Sequence, residues 1–394
     1  MFDKFSATSS NWDLNSDSLS LSIVVPVFNT RAYLRQALDS LVSAPLSQVE
    51  VIIVHDGGAD GSLALAVDWV RHTPMRACVI DQANAGLSAA RMAGLARARG
   101  RFVGFLDSDD LADVAVLAAM AEAGEGMACD VVLCRSVVLE SNTFAVSRFY
   151  DAHIWDLIMG GRRFRRVTLD QEPRLLRLEP NANPRVIRRS FLHQVGLAFP
   201  EGLLFEDMAP HVHGLARAGH VGLLNETGYW YRVGRPGKIT DERSARRFDA
   251  IHSVGLAIDA AAGLSREACA NLALQAVRLL YWCAQNVTNA DRARFLREAI
   301  GVVRRLEPET LRLARVAYST DERERLLLGA FATGAHRVLY DMAGRRRPAP
   351  WPWLRLAMHP EGRTVVKLGL RALARPALGA ARRIGGKLRG AAHA

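Results

Sequence analysis

Between Leu21 and Asp110, four short runs of β-branched and apolar residues alternate with stretches of helical spacing. Ser22–Val27 (SIVVPV), Val49–Val54 (VEVIIV), Ala77–Ile80 and Phe102–Leu106 (FVGFL) have the length and composition of strands buried on both faces. Arg31–Val42 puts Tyr33, Leu34, Leu38 and Leu41 on one helical face. Leu63–Val70 follows a loop from His55 to Ser62, where Asp60 or Ser62 can cap it, and Leu87–Ala98 is alanine-rich. This alternation predicts an α/β fold with an open, Rossmann-like, mostly parallel sheet and helices on both faces. Ligands of such sheets bind beyond the carboxyl ends of the strands. Asn29, Asp56 and the Asp107–Asp110 cluster follow these runs, so they are expected to gather along one edge.

Beyond about residue 125 the pattern loosens. Asp130–Leu139, Val221–Leu224 and Gly228–Arg232 read as strands and Ala209–Ala218 as a helix, while 151–190 is arginine-rich and resists assignment. From about Asp241 to Met342 the periodicity is helical throughout. The first twenty residues are polar, without the apolar core of a secretory signal, and read as a flexible tail. Hydrophobic residues at 49% and charged residues at 23% exclude a disordered, collagenous or disulfide-scaffold chain. Apolar runs such as Leu111–Met120 are broken by acids well before the ~20 residues a spanning helix needs. Five cysteines without a paired C-x-x-C spacing argue against zinc or disulfide frameworks and for reduced thiols.

Two carboxylates at Asp107-x-Asp109, after a buried strand, repel unless a cation lies between them. Hard divalent ions, Mn²⁺ or Mg²⁺, favour one or two protein carboxylates plus phosphate oxygens, so a nucleoside diphosphate is the natural third party. Asp109 or Asp110 could instead cap the following helix. Glu206-Asp207 could likewise be an acidic helix start.

The run from Leu21 to Asp110 resembles family 2 glycosyltransferases of the GT-A fold. The similarity is carried by Ser22–Asn29, Val51–Gly58, Asn84–Arg91 and Phe105–Asp110, four motifs in order, each at a strand end. It continues through Asn183-Pro184-Arg185, Phe199–Gly202, Phe205-Glu206-Asp207 and Tyr229–Arg232, covering roughly 20–240. The resemblance implies that Pro26, Val27 and Asn29 lie beside the nucleotide base and that Asp56 reads it, commonly uracil, through a ring N–H. It places Arg91 near the nucleotide, Asp107 and Ser108 on the donor, and Asp109, with Asp107, on the metal. Asp207 matches the catalytic base of inverting members. His55 and Met92 depart from the family pattern, which has an acid and Asn there. Gly234–Lys238 reads as a phosphate-facing loop or a plain turn, and His211, four residues after Asp207, as a residue that could face the site.

The expected organisation is therefore a tail at 1–20, a GT-A domain at 21–240, a helical domain at 241–344 and a basic amphipathic tail at 345–394. The expected activity is transfer of a sugar from a nucleotide-sugar, with UDP favoured, to a hydroxyl of a glycan or lipid-linked acceptor in surface-polysaccharide synthesis. A net charge of +11 is concentrated near the C-terminus, where Arg363, Lys367, Arg371, Arg375, Arg382, Arg383, Lys387 and Arg389 meet no acid. That pattern fits an anionic membrane surface, and hence a cytoplasmic enzyme peripheral to the cytoplasmic face. Trp351 and Trp353 could anchor at that interface or pack against the helical domain. Nucleic acid is not expected as a partner, because no zinc finger, helix-turn-helix or RNA-recognition signature is present. A sugar-nucleotide-binding module without catalysis is the alternative reading, and behind it a nucleic-acid-binding protein, suggested by the basic charge alone.

Overall fold

The computed structural model describes residues 5–12, 19–42, 48–236 and 243–344. The chain divides into two compact units, Met1–Asp241 with Asp259–Leu264 and Glu242–Ile258 with Ser265–Ala394.

The first unit is built on one mixed sheet. Its strands are β1 (Ala7–Thr8), β2 (Leu21–Val27), β3 (Val49–Asp56), β4 (Arg76–Gln82), β5 (Phe102–Phe105) and β6 (Leu111–Ala112). They are joined by β7 (Val131–Glu140), β8 (Val146–Arg148), β9 (Phe164–Val167), β10 (Arg185–Arg188) and β11 (Val221–Val233). The order is β1-β4-β3-β2-β5-β10-β7-β11-β6, with β8 on β7 and β9 on β11. Strands β2 to β5 run parallel, as do β7 and β11, and β10 is inserted antiparallel between β5 and β7. Helices α1 (Arg31–Asp39), α2 (Ser62–His72), α3 (Leu87–Leu95), α4 (Val114–Gly126), α5 (Ala152–Met159), α6 (Arg189–Val195) and α7 (Met208–Arg217) accompany it.

Strands β2 and β3 are buried along their whole length, as unbroken Val/Ile runs require. Pro26 lies past Val24, the last residue of β2 paired to β5, where a missing N–H is tolerated. Val221–Leu224 and Gly228–Arg232 are one strand, not two: the register shifts between Leu224 and Tyr229. There the Cβ absent from Gly228 would lie 2.7 Å from Cys134 Sγ, so the irregularity also lets two strands approach.

The N-terminal segment is not a loose tail over its described part. Strand β1 pairs antiparallel with β4 and covers that sheet edge. Trp12 is buried, and the Arg99 guanidinium lies 4.0 Å from the centroid of its ring. Arg99 in turn pairs with the fully buried Glu50 of β3, whose Oε1 also accepts from Ser22 Oγ at 2.6 Å. The segment thus shields a buried ion pair.

Helix α3 carries Arg91 and packs on β2 through Gly94. A Cβ at 94 would meet Val24 Cγ1 at 2.3 Å. Replacing Gly94 by Ala should cost about 1–3 kcal/mol, the usual overpacking range. A chemical denaturation midpoint equal to wild type would show that the helix has slack.

The second unit is helical among its described residues: α8 (Asp249–Ala260), α9 (Arg266–Asn286), α10 (Arg292–Val303), α11 (Pro308–Leu313), α12 (Glu322–Thr333) and α13 (His336–Ala343). Helix α9 is its centre, burying Leu272, Ala273, Ala276, Leu280 and Ala284. Ser265 caps it by accepting from Ala268 N. Residues 345–394, including Trp351, Trp353 and Pro376, lie outside the described residues. Among the described residues no helix is long and apolar enough to cross a membrane.

Candidate functional site

The ends of β2, β3 and β5 meet as their polar residues do. Asn29 follows β2 in a left-handed conformation (φ 51°), and its Oδ1 accepts from Ala59 N at 3.0 Å. A side chain at Gly58 would strike that oxygen, with a Cβ at 2.7 Å, which explains the glycine. Ser108 ties the loop after β5 to the loop after β2 through a 2.8 Å bond with Thr30. Asp56 is the last residue of β3, not part of the following loop. Its carboxylate accepts from Gln82 Nε2, Ala85 N and Gly86 N at 2.8–2.9 Å. About one of a carboxylate's four lone-pair positions remains for a base N–H. His55 points its Nδ1 to Asp81 at 2.6 Å, and its buried Nε2 has no partner.

Arg91 is the centre of the site. Only 1% of its side chain is exposed, yet it meets three carboxylates: Nη2 to Asp107 at 3.0 Å, and Nη1 to Glu206 and Asp207 at 2.6 and 2.7 Å. Phe199 and Phe105 flank the guanidinium, with ring centroids 5.0 and 6.0 Å away. The rigid guanidinium fork serves the acid after β5 and the two acids before α7 at once, which a lysine could not do.

Asp207 precedes α7 but does not cap it with its side chain. Its second oxygen accepts from Ala182 N at 3.3 Å. Phe205, with φ 63°, turns the chain so that both acids face Arg91. Burial pushes the Asp207 carboxyl up to about 7; Arg91 opposes this, while Glu206 and Asp107 add to it. Such a group can take a proton at neutral pH.

The other acids of the cluster are also spoken for. Asp107 Oδ2 accepts from Asn183 Nδ2 at 2.9 Å, and the same nitrogen lies 2.8 Å from Tyr229 Oη. Tyr229 donates to Asp110, which also accepts from Arg232 N at 2.7 Å. Asp110 therefore braces β11, and the residue that caps α4 is Asp113. Asp109 pairs with Arg235, just after β11, and Tyr33 lies between Arg232 and Arg235 with centroid distances of 5.2 and 5.7 Å.

No group of three metal-ligating side chains occurs among the described residues. The arrangement fits a single-carboxylate mode instead. The Asp107 carboxylate is held by Arg91 and Asn183, whereas the Asp109 carboxylate pairs with Arg235 and its carbonyl accepts from Arg232 Nε at 2.7 Å. A hard cation bound mostly by phosphate oxygens needs only such a carboxylate. His211 does not face a metal: it is buried with Nδ1 3.1 Å from Arg185 Nη1. Burial, and next Arg185, hold its imidazole well below the usual range. Asn183, Glu206 and Arg235 had no role in the sequence reading, although two lie inside motifs quoted there and the third inside the expected phosphate-facing loop. Lys238 of that loop lies outside the described residues.

The Glycosyl transferase family 2 model matches residues 22–191. The uncharacterized glycosyltransferase EpsJ of Bacillus subtilis is 40% identical over 114 residues, 29% of this chain and 33% of that protein. The minor teichoic acid biosynthesis protein GgaA of the same organism is 34% identical over 94 residues, 23% of this chain and 21% of that one. The match thus spans about a third or less of these curated relatives. The S. aureus TarS 1–349 crystal structure with UDP-GlcNAc superposes with a TM-score of 0.64 at 19% identity, covering 84% of this chain and 93% of that one. Sheet order, strand-end motifs and these likenesses agree: residues 22–191 match family 2 glycosyltransferases, and the fold is GT-A.

Proposed function

We propose that this domain transfers a sugar from a nucleotide-sugar, UDP being the favoured nucleotide, to a hydroxyl of a glycan or lipid-linked acceptor, with inversion, in surface-polysaccharide synthesis. The observation that carries the reading is Arg91 joining Asp107, on the donor side, to Asp207, the base. Similarity to EpsJ, GgaA and the UDP-GlcNAc complex of TarS supports the substrate class.

In the proposed reaction the acceptor O–H gives its proton to the Asp207 carboxylate as its oxygen attacks the anomeric carbon. The bond from that carbon to the diphosphate breaks, and its electron pair leaves on the phosphate oxygen. A single displacement inverts the anomeric centre. Asn29, Pro26 and Val27 border the base, Asp56 reads it, Ser108 fixes the loop and Asp107 faces the donor. A divalent ion, Mn²⁺ or Mg²⁺, would be held by Asp109 and would stabilise the charge developing on the diphosphate. Arg235, which pairs with Asp109, would meet the same oxygens, while the buried Arg232 holds Asp109 O through its Nε.

Asp109→Asn should abolish the Mn²⁺-dependent part of UDP binding while the protein stays folded. Calorimetric titration with and without Mn²⁺ measures it. Equal affinities in wild type and variant would remove Asp109 from the metal. The proposal also places the enzyme at the cytoplasmic membrane face through 345–394. The full chain should sediment with anionic vesicles and release in high salt, since each basic residue near the surface contributes about 1 kcal/mol. A chain ending near Gly344 that sediments equally well would reject this role.

A further inference from the structure

The second unit contains a cavity of about 490 Å³, lined by Arg243, Trp282, Gln285, Asn286, Asn289 and Arg292 among others. Trp282, Gln285 and Asn286 come from the last turn of α9, and Asn289 from the turn that follows it. Most of that helix is packed inward, but Trp282 is 36% exposed. An indole left partly open on an otherwise buried helix has a cost that a ligand would offset.

The parts around it are set. Arg247 stacks on the indole with its guanidinium carbon 4.3 Å from the ring centroid, which fixes the ring plane. Asn286 Nδ2 donates to Trp282 O at 2.8 Å and keeps its amide oxygen available. Arg292 is buried; its Nε donates to Ala284 O at 2.9 Å, and its guanidinium lies 5.9 Å from the Tyr340 centroid. Arg243 and Asn289 are exposed at the rim.

This lining favours one ligand chemistry. Planar amides and guanidinium groups offer paired donors and acceptors at the spacing of neighbouring sugar hydroxyls. An indole accepts the flat C–H face of a pyranose and leaves its hydroxyls to those amides. The lining is too polar for an acyl chain or an apolar helix face. It contains two arginines and no carboxylate, so the ligand carries negative charge.

We propose that this cavity binds a sugar residue bearing an anionic group, phosphate or carboxylate, as part of a glycan acceptor. The acceptor role rests on the transferase reading above; the binding itself does not. The donor residues all lie between Pro26 and Arg235, whereas the cavity lining begins at Arg243. The cavity lies within the second unit and contains none of the residues proposed for the donor, so UDP should not displace its ligand.

The test is saturation-transfer NMR on the full chain, first without and then with saturating UDP and Mg²⁺. The probes are pentagalacturonate, a phosphodiester-linked hexose oligomer and uncharged maltopentaose. One or both anionic probes should bind and outcompete maltopentaose, and which of them does so identifies the charged group. Trp282→Ala should weaken binding about tenfold, the worth of a stacked aromatic contact. Arg243→Gln and Asn289→Ala, both at exposed positions, test the site without disturbing packing. The first should erase the preference for charge and the second should weaken binding about threefold, one lost hydrogen bond. Displacement by UDP, no saturable binding of any probe, equal affinity in all three variants, or tighter binding of an RNA oligonucleotide would overturn the proposal. If UDP-sugar turnover depends on Asp207 while no probe binds, this inference fails alone. If probes bind as expected but no donor is turned over with any acceptor, the cavity assignment stands and the transferase reading fails.

Discussion

Asp207→Asn should keep donor binding and lower sugar transfer by about 10²–10⁴-fold, the range for a positioned general base. The amide preserves shape and can still meet Arg91, but it cannot take the acceptor's proton. Because burial holds the Asp207 carboxyl at about 7, the wild-type rate should rise with pH and level off above that value. Below it the group is protonated and the base is lost. The same shift has a stability consequence. The native state holds a proton that the unfolded chain has released, so stability falls as pH rises from the ordinary carboxylate range to about 7. Near-native transfer by the variant, or a rate independent of pH from 5 to 8, would show that the proton goes elsewhere.

Arg91→Met should produce the largest loss of stability. It leaves Asp107, Glu206 and Asp207 facing one another without their shared cation. Removing one partner of a buried ion group typically costs about 3–5 kcal/mol. The base would then be driven further from ionisation, so the pH–rate profile of any folded enzyme should move to higher pH. Arg91→Lys should fall between, since an ammonium keeps the charge but cannot reach three acids along one planar fork. Denaturation curves within about 0.5 kcal/mol of wild type, the scatter of ordinary surface changes, would contradict this reading of Arg91.

The parallel half of the sheet is legible because its strands are unbroken apolar runs and each ends in a polar residue. The same feature places Asn29, Asp56 and Asp107 on one edge. The arginine-rich stretch after 150 hides its strands for a physical reason. Arg165 and Arg188 spend their guanidinium groups on Glu172, Ile158 O, Glu125 and backbone carbonyls, so their stems pack like apolar residues. Strand β10 is only four residues long, Arg-Val-Ile-Arg, and with Arg189 directly after it three of five consecutive residues are arginines, which reads as surface. Periodicity cannot reveal that Arg185 is buried against His211.

The site was legible in its acids and not in their partners. A carboxylate after a strand announces itself, but its counter-charge comes from any distance along the chain. Arg91 joins Asp107, 16 positions on, and Glu206 and Asp207, 115 and 116 positions on. Arg235 reaches Asp109 across 126 positions. Nothing local marks Arg91 as the partner of Glu206 and Asp207; only the fold of α3 against β2 does. The N-terminal segment shows the same limit, since Trp12 is a lone aromatic in polar sequence until Arg99 appears beneath it.

The proposed reaction is a single displacement at one carbon, with Asp207 as base. It is tested most directly by proton NMR of the first-formed product from an α-linked UDP-sugar, read from the anomeric coupling before any mutarotation. The arrangement predicts a β-glycoside and release of one UDP per sugar transferred. An α-glycoside would require a second displacement or a front-face path, and would contradict it.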